Sequence, residues 1–181
     1  MTNHIDLGTV LRQTLSANLY SNLVTRSTGR AVRTQIELLV SSSANRVLTV
    51  IDFAHVSMID FSCADEVIAK LLQSFAPDRE AYFVFRGMTD DHWHAVESVL
   101  ERHGLALVVE ADTGIELMGV LDEREQRAWQ AMKRRGRAAA WELAGDMGEP
   151  EPTVRLALDR MWQRRLIMRH EGAYMPVGEI A

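Results

Sequence analysis

The sequence predicts an α/β fold followed by a mainly α unit, and three observations carry that prediction. Short, nearly continuous apolar runs at 47–53, 81–85 and 105–109 alternate with segments of helical period. From residue 121 helical spacing takes over, and three of the four tryptophans (Trp129, Trp141, Trp162) fall there. Charge divides at the same place: residues 1–120 hold 9 Lys+Arg against 15 Asp+Glu, and residues 121–181 hold 11 against 10. An acidic first part and a near-neutral second part with clustered arginines indicate two units with different partners, 1–120 and 121–181.

Leu7, Val10, Leu11 and Leu15 have helical spacing, so a short helix is expected over 7–21. Residues 19–24 suit either helix or strand. A helix is expected over 30–40, then a loop over 41–45 from its Ser/Asn composition. Val47, Leu48, Thr49, Val50, Ile51 and Phe53 read as a strand covered on both faces. Residues 57–60 form a turn or strand edge. Ser62 opens a helix to Leu72, with Ala64, Val67, Ile68, Leu71 and Leu72 on its apolar face.

Pro77 breaks that helix, and residues 81–85 are a second buried-type strand. Residues 90–103 read as a helix with Gly104 as its C-terminal cap, and 105–109 as a third strand. Thr113 and Glu116 have capping-box spacing, which predicts a short helix to Val120. Beyond it, helices are expected over 123–134, 137–147 and 153–167, the last entered through Pro152. Residues 168–176 read as a hairpin with Glu171 and Gly172 at its tip.

Composition excludes several classes. Of 181 residues, 47% are hydrophobic and 25% charged, so the chain is neither disordered nor of low complexity. No apolar run approaches the ~20 residues of a membrane span, and the N-terminus lacks a basic region followed by an apolar core. A cytoplasmic protein with no membrane partner is expected. The single cysteine, Cys63, excludes a disulfide framework and a Cys-rich zinc site, and is expected to be a small buried hydrophobe.

Several residues suggest chemistry at first sight. Asp52, Asp60, Asp65 and Glu66 are four carboxylates within fifteen residues. The favoured reading gives Asp60 and Asp65 to a helix start and makes Glu66 and Lys70 a solvent pair one turn apart. Asp90, Asp91, His92 and His94 resemble a metal cluster, yet His92 and His94 are two apart and diverge on a helix. Arg26, Arg30 and Arg33 flank a possible anion-receiving helix start; the favoured reading is a turn with solvated arginines. No nucleophile, base and orienting group assemble into a catalytic set, so no enzyme, cofactor or metal is expected.

The run from Val47 through Asp52, Phe53, Asp60, Phe61, Ser62, Ala64, Asp65 and Glu66 to Leu72 resembles STAS domains, and more closely their STAS-like group of unassigned function. The resemblance implies a sheet with helices and a protein partner, a kinase or another regulator. In anti-sigma factor antagonists of this fold a serine at the start of that helix is phosphorylated, which releases the partner. Ser62 matches it by position. Phe61 stands where that family has a small residue, and Cys63 where it has glycine. Ser62 is therefore read either as a phosphoacceptor switch or as a simple helix N-cap.

Residues 121–177 resemble the winged helix-turn-helix domains of bacterial transcription regulators, on the segments 138–144, 152–161 and 165–174. The resemblance implies duplex DNA as a partner, and a symmetric operator would imply a homodimer. Thr153 and Arg155 would then meet bases or phosphates, Arg160 and Arg164 phosphates, and Arg169 the backbone or minor groove. The whole reads as a regulatory protein coupling a partner-binding module to a DNA-binding one. The alternative is a protein–protein signalling adaptor whose winged helix binds no DNA, since Glu149, Glu151 and Asp159 lie on or near the reading surface.

Overall fold

A computed structural model of the chain describes residues 2–15, 21–42, 46–75 and 80–178. Of the loop expected over 41–45, Ser41 and Ser42 instead end and cap α2, and residues 43–45 lie outside the described residues, as do the break at 76–79 and the stretch 16–20. The first part runs β1 (Thr2–Asp6), α1 (Leu7–Leu15), β2 (Asn22–Leu23), α2 (Arg26–Ser41), β3 (Arg46–Asp52) and β4 (Met58–Ile59). One helical rod follows, made of α3 (Phe61–Ala64), a π-helical segment (Asp65–Lys70) and α4 (Leu71–Ser74). Then come β5 (Glu80–Arg86), α5 (Asp90–His103), β6 (Ala106–Ala111) and β7 (Gly114–Gly119). The second part comprises α6 (Glu123–Arg135), β8 (Ala138–Ala139), α7 (Ala140–Met147), α8 (Glu151–Gln163), β9 (Ile167–His170) and β10 (Ala173–Pro176). No helix among the described residues is long and apolar enough to cross a membrane.

The protein is mixed α/β. Five strands form one sheet in the order β1-β3-β5-β6-β7, parallel from β1 to β6 and antiparallel between β6 and β7. β2 and β4 form a small parallel pair. β8, β10 and β9 form a separate antiparallel sheet in that order.

Strand alternation explains the packing. Ile51, Ala81, Phe83, Phe85, Leu107 and Val109 face α1, α2, the π-containing rod and α5. Leu48, Val50, Tyr82, Val84, Ala106 and Val108 face the other way and share a core with Ala128, Trp129 and Met132 of α6, Leu143 of α7 and Leu158 of α8. The second part therefore covers the second face of the sheet. This is why β3, β5 and β6 read as continuous apolar runs rather than as alternating ones.

Two elements depart from the sequence expectation. Residues 114–119 form β7, not a helix: all six pair with β6, from Gly114 opposite Ala111 to Gly119 opposite Ala106. The capping-box spacing of Thr113 and Glu116 is a local signal, and pairing with a buried neighbouring strand overrides it. β1 was not expected. It is an edge strand in which only Ile5 is buried, so it shows no apolar run. Smaller shifts occur at element ends. α8 starts at Glu151, two residues earlier than predicted, and β8 takes the first residues of the helix expected at 137. α5 ends on Gly104, whose φ of 61° is the left-handed cap conformation that glycine adopts without strain.

Candidate functional site

The richest assembly of polar side chains lies where α2 meets the π-containing rod. Asp60, not Ser62, is the N-cap of α3: its Oδ1 accepts from the Cys63 N–H at 2.8 Å, and its Oδ2 accepts from the Thr25 N–H at 3.0 Å. Asp60 holds both helix entrances at once, which a serine hydroxyl has neither the reach nor the second oxygen to do. Ser62 sits one position inside α3. It is half-buried, and its hydroxyl has no hydrogen-bond partner among the described residues.

Thr25 caps α2 from a φ of 73°, a strained setting for a threonine. Its carbonyl accepts from the Cys63 thiol at 2.9 Å. Burial, with Asp60 adding to it, pushes that thiol up to about 12, so Cys63 stays protonated at neutral pH and is a packing residue rather than a nucleophile. Gly29 permits the close approach of the two helices. A Cβ there would stand 2.9 Å from the Cys63 Cα and 3.1 Å from the Glu66 Cβ.

The π segment carries two buried carboxylates. Glu66 is 0% exposed and Asp65 nearly so. The Arg26 Nη1 donates to Asp65 Oδ2 at 2.7 Å and to Glu66 Oε1 at 3.1 Å. Arg33 lies 3.3 Å from the other Glu66 oxygen, and Lys70 also bonds Glu66. The His103 Nε2, from the end of α5, lies 2.7 Å from Asp65 Oδ1. Burial alone would raise both carboxyl pKa values. Hydrogen bonds from Arg26 and His103 outweigh it at Asp65, and those from Lys70 and Arg26 outweigh it at Glu66, so both are held below their ordinary values. Chemically this is a seam joining α2, the rod and α5 around two ionised carboxylates, which have no proton to give at neutral pH.

That arrangement corrects two expectations. Glu66 and Lys70 do pair one turn apart, but Glu66 is buried rather than solvated. Arg26 and Arg33 reach buried carboxylates instead of being wholly solvated, Arg26 while still 45% exposed. The four carboxylates also separate: Asp52 goes to Arg86 at 2.9 Å, Asp60 to main-chain N–H groups, and only Asp65 and Glu66 share partners. His92 is buried, and its Nδ1 accepts from the Thr89 N–H at 3.1 Å, closing a capping box on α5. No group of three or more metal-ligating side chains occurs among the described residues.

The residues expected to read DNA lie along and after α8. Val154, Ala157, Leu158 and Met161 are buried on one side, leaving Arg155, Leu156 and Arg160 exposed and Thr153 half-buried. Arg155 pairs with Glu151 one turn earlier. Arg160 lies 2.8 Å from Asp122, and Arg169 lies 3.3 Å from Asp159 and stacks over Trp162 at 4.3 Å. Arg164 turns back from the helix: it lies 2.9 Å from the buried Glu125 and donates to the Val120 carbonyl at 2.6 Å. Arg164 therefore braces the entry to α6, away from the exposed side of α8.

Of the eleven basic side chains beyond residue 120, nine pair with carboxylates. Two large apolar side chains stand out of the same unit, Trp141 on α7 at 64% exposed and Leu156 on α8 at 63%. Sequence reasoning missed the partners of these arginines. One signal was present: Asp122 and Glu125 have capping-box spacing, and both take part in the box and in arginine pairs. The contacts of Arg26 with the π segment span about forty residues and leave no spacing signal. No protein-family model matches the chain, and no curated protein matches it.

Proposed function

We propose that the protein is a non-catalytic regulator in which a STAS-like layer binds or senses a protein partner and a winged-helix unit binds duplex DNA. One observation carries the reading. The order α6, β8, α7, α8, β9, β10, with β10 between β8 and β9, is that of a winged helix-turn-helix, and α8 keeps one side free while its other side is buried. Thr153 and Arg155 near the free N-terminal half of α8 are the base or phosphate contacts, with Arg160 and Arg169 at phosphates. The strand–turn–helix run that carries the STAS-like resemblance forms β3, β4 and α3, and the half-buried Ser62 stands where a phosphate would add negative charge to a helix start.

A second reading, a protein–protein adaptor, is favoured by a different observation. Nearly all arginines of the unit are neutralised, while Trp141 and Leu156 are exposed. The test is fluorescence anisotropy of the full chain on mixed duplex DNA across a salt titration. Binding that falls steeply with salt and weakens in Arg155→Ala supports the DNA reading. No binding at low salt discards it in favour of the adaptor. The full chain is required, because ending it near Val120 strips the cover from one face of the sheet.

A further inference from the structure

Arg169 stands on β9 of the hairpin, yet two residues of α8 set its position. Its Nη1 lies 3.3 Å from Asp159 Oδ1, and its guanidinium stacks over the Trp162 ring at 4.3 Å. Asp159 and Trp162 are three residues apart on α8, so they lie on one side of the helix. The same Asp159 oxygen accepts from the Tyr174 hydroxyl at 2.7 Å. Tyr174 is buried and stands directly opposite Arg169 in the β9–β10 ladder. Both strands of the hairpin are thus tied to one carboxylate of α8. Burial, with Asp159 adding to it, holds the Tyr174 pKa above its ordinary value, so its hydroxyl keeps its proton and remains a donor at neutral pH.

A mobile arginine loses rotamer freedom when it meets a phosphate. Here that freedom is already removed within the protein. The carboxylate fixes one edge of the guanidinium, and the indole fixes its plane. Charge alone makes Asp159 unfavourable beside a surface that meets phosphate. Set against Arg169 it does the reverse, because an ordered guanidinium binds better than a mobile one.

We propose that Asp159 is a positioning residue for nucleic-acid binding: with Trp162 it holds Arg169 for the phosphate backbone, so that α8 and the β9–β10 hairpin engage duplex DNA as one preformed surface. This rests on the DNA reading of α8 and adds to it a residue that acts through Arg169 without touching DNA.

The test is fluorescence anisotropy of the full chain on mixed duplex DNA across a salt titration, for the parent, Arg169→Ala, Asp159→Asn and the double variant. Arg169→Ala is expected to weaken binding by about 3- to 10-fold and to lower the salt slope by about one. Asp159→Asn can still accept from Tyr174 but loses the charge that holds Arg169. It is expected to weaken binding and lower the slope as Arg169→Ala does, although it makes the protein less negative. The double variant binds no more weakly than Arg169→Ala alone. A role in folding only would move the melting temperature and leave the slope in place. Arg169→Lys keeps the charge without the planar guanidinium and is expected to bind more weakly than the parent; it carries the test if Asp159→Asn does not fold. If the parent binds no DNA, the DNA reading and this role fall together. If the parent binds and Asp159→Asn binds more tightly, or Arg169→Lys binds as the parent does, the DNA reading stands and the positioning role is overturned.

Discussion

The Arg165 guanidinium donates from Nη2 to the main-chain carbonyl of Phe75 at 2.7 Å. Phe75 follows the helical rod that begins at Ser62's helix and carries Asp65 and Glu66. Arg165 follows α8. This bond, ninety residues apart in sequence, ties the end of the first part's helical rod to the end of α8 in the second part. Burial lowers the Arg165 pKa from its ordinary value, and the residue holds a φ of 61°. The contact joins the two parts of the chain alongside the core they share on the second face of the sheet.

Arg165→Ala removes the donor to a part-buried carbonyl and keeps the unfavourable backbone. It is expected to lower stability by about 1–3 kcal/mol. Arg165→Gly removes the same donor but relieves the positive φ, and is expected to lose about 1 kcal/mol less. Urea unfolding of both variants checks this. A loss within the ~0.5 kcal/mol of an ordinary surface change would show that the joint carries no load.

The seam between α2 and the rod gives a second prediction. Gly29→Ala places a Cβ against the Cys63 main chain, which cannot move without moving α3, so a loss of about 1–3 kcal/mol is expected. Glu66→Gln leaves Arg26, Arg33 and Lys70 with one fewer buried carboxylate and is expected to cost about 3 kcal/mol. Thermal melts at neutral pH read both. If Glu66→Gln melts with the parent, the seam is electrostatically idle.

Two pH windows follow from the shifted groups. Burial holds the His92 pKa below the ordinary histidine value of 6.5. The unfolded chain takes up that proton near pH 6.5 while the folded chain does not, so stability is full above that pH and falls as the pH drops toward the folded value. Asp65 and Glu66 are depressed from 3.8 and 4.5, so their contribution is present above those values and is lost as the pH falls through the lower folded ones. Urea midpoints measured between pH 7.5 and 5.5 (about two units spanning the histidine range) should decline in the parent. His92→Gln, which can still accept from the Thr89 N–H as a capping-box glutamine, should flatten that decline. An unchanged slope in the variant would assign it to another group.

Much of the layered fold is legible because β3, β5 and β6 are apolar on both faces, and such runs leave a strong local trace. What covers their second face left none: Tyr82 meets the core of α6 and α8 only through the tertiary fold. β7 was misread because Thr113 and Glu116 satisfy a helix signal locally, whereas the winning interaction is the six-residue ladder with β6. At the site, the helix start and the part Asp60 plays in it are legible, but Ser62 is read as the cap and the reach of Asp60 to a second helix leaves no trace. Asp60 wins because its second oxygen reaches Thr25, thirty-five residues back. The contacts of Arg26 and Arg33 with Asp65 and Glu66 are equally invisible to spacing, since those carboxylates lie in another helix, whereas the Arg33–Glu37 pair, one turn apart in α2, is a spacing the sequence does show.

The ion pair of Glu151 and Arg155 offers the sharpest division between the two functional readings. The pair is exposed and one helical turn apart, so it stabilises the fold by only ~0.3–0.5 kcal/mol. Glu151→Gln frees the Arg155 guanidinium and removes a negative charge from the start of α8. If α8 lies on DNA, this variant binds duplex more tightly, by about 3- to 10-fold at low salt, from the loss of phosphate repulsion. Arg155→Ala then binds more weakly, with a salt slope reduced by about one. Both should melt close to the parent, the glutamine variant slightly lower because an acid in the first turn favours the helix dipole. Opposite shifts in affinity at nearly constant stability assign α8 to the phosphate backbone. Two variants that leave DNA binding absent or unmoved assign its exposed side, with Leu156, to a protein surface.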